Sequence, residues 1–326
     1  MKNVIKYFLI SFICVTCFML HVTWVNAEEL KLELIPSSIE IAAKPNSSIN
    51  LQYALTNKGD PLVVKIEVLP FEIKDSTGQV VLGNRLEGLI GFTIDSQDSR
   101  SEPMLLKTNE IKRFTLGIQV PEGLPEQDYY YSLVIVTNPP PIPVGIVSVR
   151  AKITLASHLL ITISSNGQIQ IKPKITLFEP RSQFNLKIGN ATVHFFDSSS
   201  SIPIVLLVDN TGKNLIQAEG MIAEKGFLTG VKKYEVKSQT ILAESQRLLI
   251  VDSASANKLT NQLTNNSLVL KGFHIGLYDV SASVNSGKGT PGVYGKTFFI
   301  ALPFKLLLVL ILIIFISVFL YKRFKK

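Results

Sequence analysis

Cysteine is nearly absent from this 326-residue chain: the two present, Cys14 and Cys17, both fall inside the first apolar run. If that run is removed, no disulfide can staple the remainder, and the fold must stand on core burial. Histidine is scarce too. Beyond residue 27 there are three, His158, His194 and His274, with no HxxxH or HxH spacing to hold a metal. Each reads as an ordinary strand or loop residue. No cysteine nucleophile and no Gly-x-Ser-x-Gly elbow is present. No catalytic, cofactor-binding or metal site is therefore assigned, and the expectation is a protein that is not an enzyme. An enzyme with a scattered active site stays open as a minor alternative. Gly289 to Thr297 superficially resembles a phosphate loop, but five residues rather than four separate its two outer glycines. A helix N-terminus, which such a loop needs to hold the anion, is not expected after it either.

Charge of one sign is also missing from the middle of the chain. The formal net charge is +8, but Lys2, Lys6, Lys305, Lys322, Arg323, Lys325 and Lys326 lie at the ends. Setting those seven aside from 33 basic residues leaves 26 against 25 acidic ones. A near-neutral region without a basic stripe has no means of tracking phosphates, so nucleic acid is excluded as a partner.

The ends themselves are informative. Lys2 and Lys6 precede the apolar stretch Tyr7–Leu20, and Val25-Asn26-Ala27 offers small residues for a peptidase. Residues 1–27 read as a signal peptide cut after Ala27, with an uncleaved anchor helix as the rival. The lipoprotein pattern around Cys14 and Cys17 is missing. At the other end, Leu306–Tyr321 is apolar, Phe298–Phe304 extends it upstream, and a basic cluster follows. A bilayer core takes roughly 20 apolar residues as a helix. A transmembrane helix over 298–321 with a basic tail over 322–326 is expected, the tail cytoplasmic and the bulk of the chain outside. A wall-sorting LPxTG pentapeptide is not present.

Between the ends, alternation with a period of two dominates. Ile49, Leu51, Tyr53 and Leu55 alternate with polar neighbours up to the turn Asn57-Lys58-Gly59-Asp60, and Val64, Ile66 and Val68 share one face of the next run. A hairpin turn is expected at Asp75–Gly78, an irregular region over Gly83–Lys107, and strands over 110–120, 128–136 and 144–163. That is roughly seven or eight strands with turn signals between them, the grammar of an immunoglobulin-like sandwich. Tyr129 and Tyr131 resemble a tyrosine-corner position. A break at Ser164–Gly167 leads into a second series: Ile169–Leu177, 191–196, 202–214, 215–224, 227–236, 241–251 and 276–284. Asn210-Thr211-Gly212 parallels Asn57-Lys58-Gly59, so two related modules are expected. The expected fold class is all-β, two tandem immunoglobulin-like β-sandwiches at 28–165 and 166–297 plus the C-terminal transmembrane helix. Only Ser253–Leu263 hints at a further short helix.

Minor features carry less. Asp95 and Asp98 could chelate calcium or simply lie in a solvated loop. Asn46, Asn190 and Asn265 begin Asn-x-Ser/Thr triplets. The run Pro139–Pro143 reads as a stiff connection between strands.

The strand ending in Thr56-Asn57-Lys58-Gly59, the strand into Val120-Pro121-Glu122, the strand Asp128–Val136 and the pair Asn210-Thr211-Gly212 with Leu302-Pro303-Phe304 resemble the WxL-interacting cell-surface proteins of Gram-positive bacteria. That resemblance implies binding to cell-wall glycan or to another surface protein, without catalysis and without a cofactor; no ligand residue is carried over. The leading reading is a membrane-anchored cell-surface binding or scaffold protein, with Gly83–Lys107 as its binding surface. The alternative is an accessory subunit of a membrane-embedded envelope machine for secretion, pilus assembly or transport.

Overall fold

Residues whose apolar side chains alternate can bury one face of a pleated strand and leave the other to solvent. The computed structural model describes residues 29–95, 103–137, 152–189, 191–227, 229–251, 266–287 and 291–324, and nearly all of them follow that rule. Two β-sandwiches and one C-terminal helix result.

In the first sandwich one sheet has the order β1-β3-β8-β6: Leu32–Ile35, Ser47–Asn57, Ile111–Val120 and Gly91–Asp95. The facing sheet has the order β2-β10-β9-β4-β5: Ser38–Ala43, Thr154–Ile163, Asp128–Thr137, Leu62–Ile73 and Val80–Leu82. The short β7, Met104–Leu106, pairs with the start of β4. Between β1 and β2 the chain changes sheets at Ile35–Pro36, whose peptide is cis. Pairing is antiparallel except for β2 beside β10. The core between the sheets gathers Tyr53, Leu55, Val64, Ile66, Leu116, Ile118, Leu133, Ile135, Leu159 and Ile161. Each buried Val, Leu or Ile contributes about 1.5–3 kcal/mol, so a core of this size needs no disulfide. Tyr129 donates its hydroxyl to Pro125 O at 3.1 Å, the upstream backbone bond of a tyrosine corner.

The second sandwich repeats the plan. One sheet contains β11 (Pro173–Pro180), β14 (Ile202–Asn210) and β17 (Ser245–Leu248), with β18 (Leu268–Leu270) also paired to β14. The other has the order β12-β13-β20-β19-β15-β16: Phe184–Ile188, Ala191–Asp197, Val293–Leu302, Gly276–Asn285, Ile216–Gly226 and Val231–Ile241. Ile204, Leu206, Val208, Ile222, Val280 and Phe299 lie at its centre.

The helix α1 spans Phe304–Phe324, and every side chain along it is unburied. Its 21 residues at about 1.5 Å each match a hydrocarbon core of roughly 30 Å. Its start corrects the sequence reading. Phe298–Leu302, expected in the helix, form the end of β20, with Phe299 and Ala301 fully buried. Pro303 then stops the ladder and suits a helix start. Strands β12 and β18 were not anticipated as separate elements, while β6 and β7 are short edge strands within the irregular Gly83–Lys107 region. The signal-peptide segment 1–27, Asp98, Pro139–Pro143, the hinted helix Ser253–Leu263, Asn190 and Asn265 lie outside the described residues.

Candidate functional site

A long strand with a broken neighbour makes an opening. One edge of β4 is fully paired, residues 64–70 lying against β9. Among the described residues its other edge is paired by β7 at Leu62–Val64 and by β5 at Phe71–Ile73. The carbonyl of Pro70 points to that outer edge, where it accepts the Gly83 N–H at 2.8 Å. Alternate residues of a strand present their backbone groups to the same side, so those of Ile66 and Val68 face the gap, while their side chains remain in the core. Pro70 itself lacks an N–H, which fits an edge position.

Beside this gap runs a groove of about 380 Å³. Its walls include Glu67, Leu69, Arg85 and Leu86, and across it stand Phe92 and Ile94 from β6, the edge strand of the facing sheet. The segment between β5 and β6 is held open by Tyr131, whose hydroxyl donates to Glu87 O at 3.2 Å while its ring meets Phe92 edge-on at 4.8 Å. Gly88 has φ +112°, and an added Cβ there would lie 2.5 Å from the Tyr131 hydroxyl, so the bend tolerates only glycine. Leu86, Leu89 and Leu105 are exposed on this flank. Half of the groove's lining comes from β4 and half from residues 84–94, inside the irregular Gly83–Lys107 region. Among the described residues it sets backbone groups without a pairing strand next to apolar side chains, a combination suited to an extended polypeptide.

None of the three histidines lines it. His158 shares a 2.9 Å hydrogen bond with Ser132 Oγ and packs on Phe71, and burial lowers its pKa. His194 bonds Ser182 Oγ at 2.9 Å; burial lowers its pKa, with Glu179 pulling the other way. His274 differs from the expected bland role. Its Nε2 lies 3.2 Å from Glu224 Oε1, and both side chains are almost completely buried. Burial alone would raise the Glu224 pKa, but the bonds from His274 and from Tyr234 (2.9 Å) outweigh it and hold the carboxyl below its usual range. Sealed by Tyr278 and Phe299, this pair braces the second sandwich rather than meeting a substrate. Fifty positions separate its partners, so no local pattern could reveal it. Among the described residues no group of three or more His, Cys, Asp or Glu is placed to hold a metal.

Two further arrangements were illegible in sequence. The first joins the sandwiches. Asp128, at the start of β9, accepts hydrogen bonds from Asn214 Nδ2 (2.8 Å), Leu215 N (2.5 Å) and Tyr130 Oη (3.0 Å). Tyr130 Oη in turn accepts the Ala243 N–H at 2.8 Å, and burial followed by the nearby Asp128 charge pushes its pKa up. Phe71 and Leu160 from the first sandwich pack there on Leu215 and Leu242 from the second. The Ser164–Gly167 connection is tied down as well: Ser164 Oγ donates to Gln168 O at 3.0 Å and Ser165 Oγ to Glu126 at 2.6 Å. The second arrangement ties the lower sandwich to α1. Asp197, ending β13, accepts the Lys305 N–H at 3.0 Å, and Ser198 N donates to Leu302 O at 3.0 Å.

No protein-family model matches the chain, and no curated protein matches it. Solved structures do. The class 5 fimbriae chaperone CfaA is 12% identical over 82% of this chain and 99% of its own, with a TM-score of 0.37. The Escherichia coli chaperone DraB is 12% identical over 82% of this chain and 98% of its own, with a TM-score of 0.36. A chain of the Salmonella enterica SafA pilin–SafB chaperone complex is 10% identical over 83% of this chain and 99% of its own, with a TM-score of 0.37. At such scores these likenesses carry no weight for function. The resemblance to WxL-interacting proteins is corrected: no protein-family model matches the chain, no such protein is among the solved structures named above, and the quoted motifs have a simpler cause. Asn57-Lys58-Gly59 and Asn210-Thr211-Gly212 are turns of the sandwich, each locked by a buried asparagine. They report the fold and not a family. Cell-wall glycan as a partner finds no support in the comparisons.

Proposed function

We propose that this chain is a non-enzymatic accessory protein of a membrane-embedded envelope assembly machine. In this reading α1 crosses the cytoplasmic membrane, the two sandwiches lie outside it, and the open flank of the outer sandwich receives an extended segment of another surface protein. The reading is carried by one observation: among the described residues, the outer edge of β4 between β7 and β5 has no pairing strand and is flanked by the Leu86–Phe92–Ile94 groove. A partner segment laid there would pair with the backbone of Ile66 and Val68 and place alternate apolar side chains against the groove. The joint at Asp128 and the clamp at Asp197 favour a subunit held in a fixed pose over a loosely tethered binder. A pilin-like subunit, the class of protein in complex with SafB, is the partner to test first.

The test places a photo-crosslinking amino acid at Leu86 in intact cells, with Tyr294 as the control position. A crosslink from Leu86 to a strand-forming segment of one extracytoplasmic protein, absent from Tyr294, supports the groove. Equal recovery from both positions removes it. Replacing α1 by an unrelated apolar helix then separates the two functional readings. Loss of the crosslink supports an accessory subunit; its persistence makes α1 a mere tether and reinstates the free-standing scaffold.

A further inference from the structure

Bulky apolar side chains left in solvent are concentrated at one end of the second sandwich, and it is the end from which α1 leaves. Gly276 pairs with Ala301 and Gly226 with Tyr278, so the segments before Gly276 and after Gly226 reach the level where β20 gives way to the helix. His274 N confirms the placement by donating to Ser198 O at 2.9 Å, beside the Leu302 bond. On these segments Phe227 is 85% exposed and Phe273 64%, with Ile275 and Leu277 also open. Phe304 opens the helix in the same condition. Lys225, Lys232, Lys271 and Lys305 stand exposed around them, with Asp279 as a nearby exposed carboxylate.

An apolar tip ringed by lysines, on a face set level with the start of a membrane-length helix, has the composition of an interfacial anchor. Aromatic side chains favour the headgroup level, and lysines beside them favour anionic lipid. We infer that this end of the second sandwich is itself seated in the bilayer surface, with Phe227 and Phe273 inserted at the headgroup boundary and the lysines facing anionic headgroups. This inference rests on the reading of α1 as a membrane-spanning helix, and it adds a second, independent contact with the same lipid. Such seating removes Phe227 and Phe273 from water and leaves the outer sandwich as the part free to meet partners.

The test uses the full chain reconstituted in vesicles of phosphatidylglycerol and a phosphatidylcholine brominated at two depths, near the headgroup end and near the terminal end of its acyl chains. Trp24 is the chain's only tryptophan, so a Trp24→Phe background receives one reporter at a time: Phe227→Trp, Phe273→Trp, Phe315→Trp within α1, or Tyr294→Trp. Tyr294 is exposed and lies roughly 26 Å back along β20 from Leu302, at about 3.3 Å per residue. The expected result is quenched, blue-shifted emission from the reporters at 227, 273 and 315 and unquenched emission at 294. Quenching at 315 without quenching at 227 and 273 overturns the seating while leaving the anchor intact. No quenching at 315 overturns the anchor and the inference with it. Quenching at 294 as strong as at 227 shows a sandwich lying flat on the bilayer and equally overturns the proposed seating.

Discussion

Asn57 and Asn210 hold equivalent places in the two sandwiches. Each ends a central strand, each is fully buried, and each side-chain oxygen accepts the N–H of the glycine two residues on, at 3.0 Å from Gly59 and 3.1 Å from Gly212. Each amide donates to one carbonyl of its own turn and to one in a distant segment. Asn57 Nδ2 reaches Asp60 O (2.8 Å) and Lys107 O (3.2 Å); Asn210 Nδ2 reaches Asn214 O (2.8 Å) and Leu242 O (3.1 Å). The same residue thus locks a turn and ties it to a neighbouring segment in both halves.

Replacing either asparagine by alanine leaves buried carbonyls and an N–H without partners. Each such substitution is expected to destabilise its sandwich by about 1–3 kcal/mol, read as a lowered urea midpoint at unchanged slope. Gly59→Ala and Gly212→Ala are expected to be at least as damaging, since an added Cβ would sit 1.9 Å from Glu29 O or 2.3 Å from Gln170 O. An unchanged midpoint in Asn210→Ala would remove the equivalence from the energetics, whatever the geometry.

Asp128→Ala strikes the joint. Asn214 Nδ2 and Leu215 N lose a charged acceptor in a buried setting, a loss of about 1.5–3 kcal/mol. Because the residue lies between two cores, the expected signature is uncoupling: one unfolding transition becomes two, and small-angle scattering shows a wider spread of interdomain distances. A single transition with only a lower midpoint would show that Phe71, Leu160, Leu215 and Leu242 hold the joint without the carboxylate.

Much of this architecture can be read from alternation alone. Ile49–Leu55 and Val64–Val68 were legible because every second residue is apolar, and the structure buries those faces. Phe184, Leu186 and Ile188 alternate as well, yet β12 was missed because it is a five-residue edge strand exposed on both faces. Phe298–Leu302 were misassigned because an apolar strand running into an apolar helix leaves no composition boundary, and only Pro303 marks the change. The Gly83–Lys107 region was legible as irregular, but the pairing along the outer edge of β4 is a property that no single segment encodes. Asp128, Asp197 and Glu224 gave no signal, since the partner that gives each its role, Asn214, Lys305 or His274, lies tens of residues away.

Stability should fall on acidification, beginning near the histidine range. His158 and His194 have lowered pKa values in the folded state, so as pH falls below about 6.5 the unfolded chain binds protons that the folded chain refuses. Glu224 acts in the same direction at lower pH. Its folded pKa is depressed, so its contribution is present above the ordinary carboxylate range and is lost as pH falls through the folded value. Urea midpoints measured from pH 8 down to pH 5 are expected to be flat and then to decline, and His158→Gln with His194→Gln should flatten the decline. A midpoint that rises toward pH 5 would contradict the assignment of buried neutral imidazoles.

The Asp197 clamp should behave differently. Its carboxyl is pushed down to about 2 by the Ser199 hydroxyl and then by the Lys305 N–H, so it remains ionised where the histidines have begun to respond. Spin labels on β16 and on α1 are expected to give a narrow distance distribution at both pH 7 and pH 5, broadened in Asp197→Ala. Broadening in the wild-type protein at pH 5 would mean that the clamp is not what orients the helix.

One residue, Pro303, separates the last strand from α1, and the Asp128 joint separates the lower sandwich from the upper. With both links braced, the proposed function makes the chain a ruler standing on the bilayer. The altitude of the β4 gap is then a constant of the fold, and a partner segment is met only when it passes at that altitude.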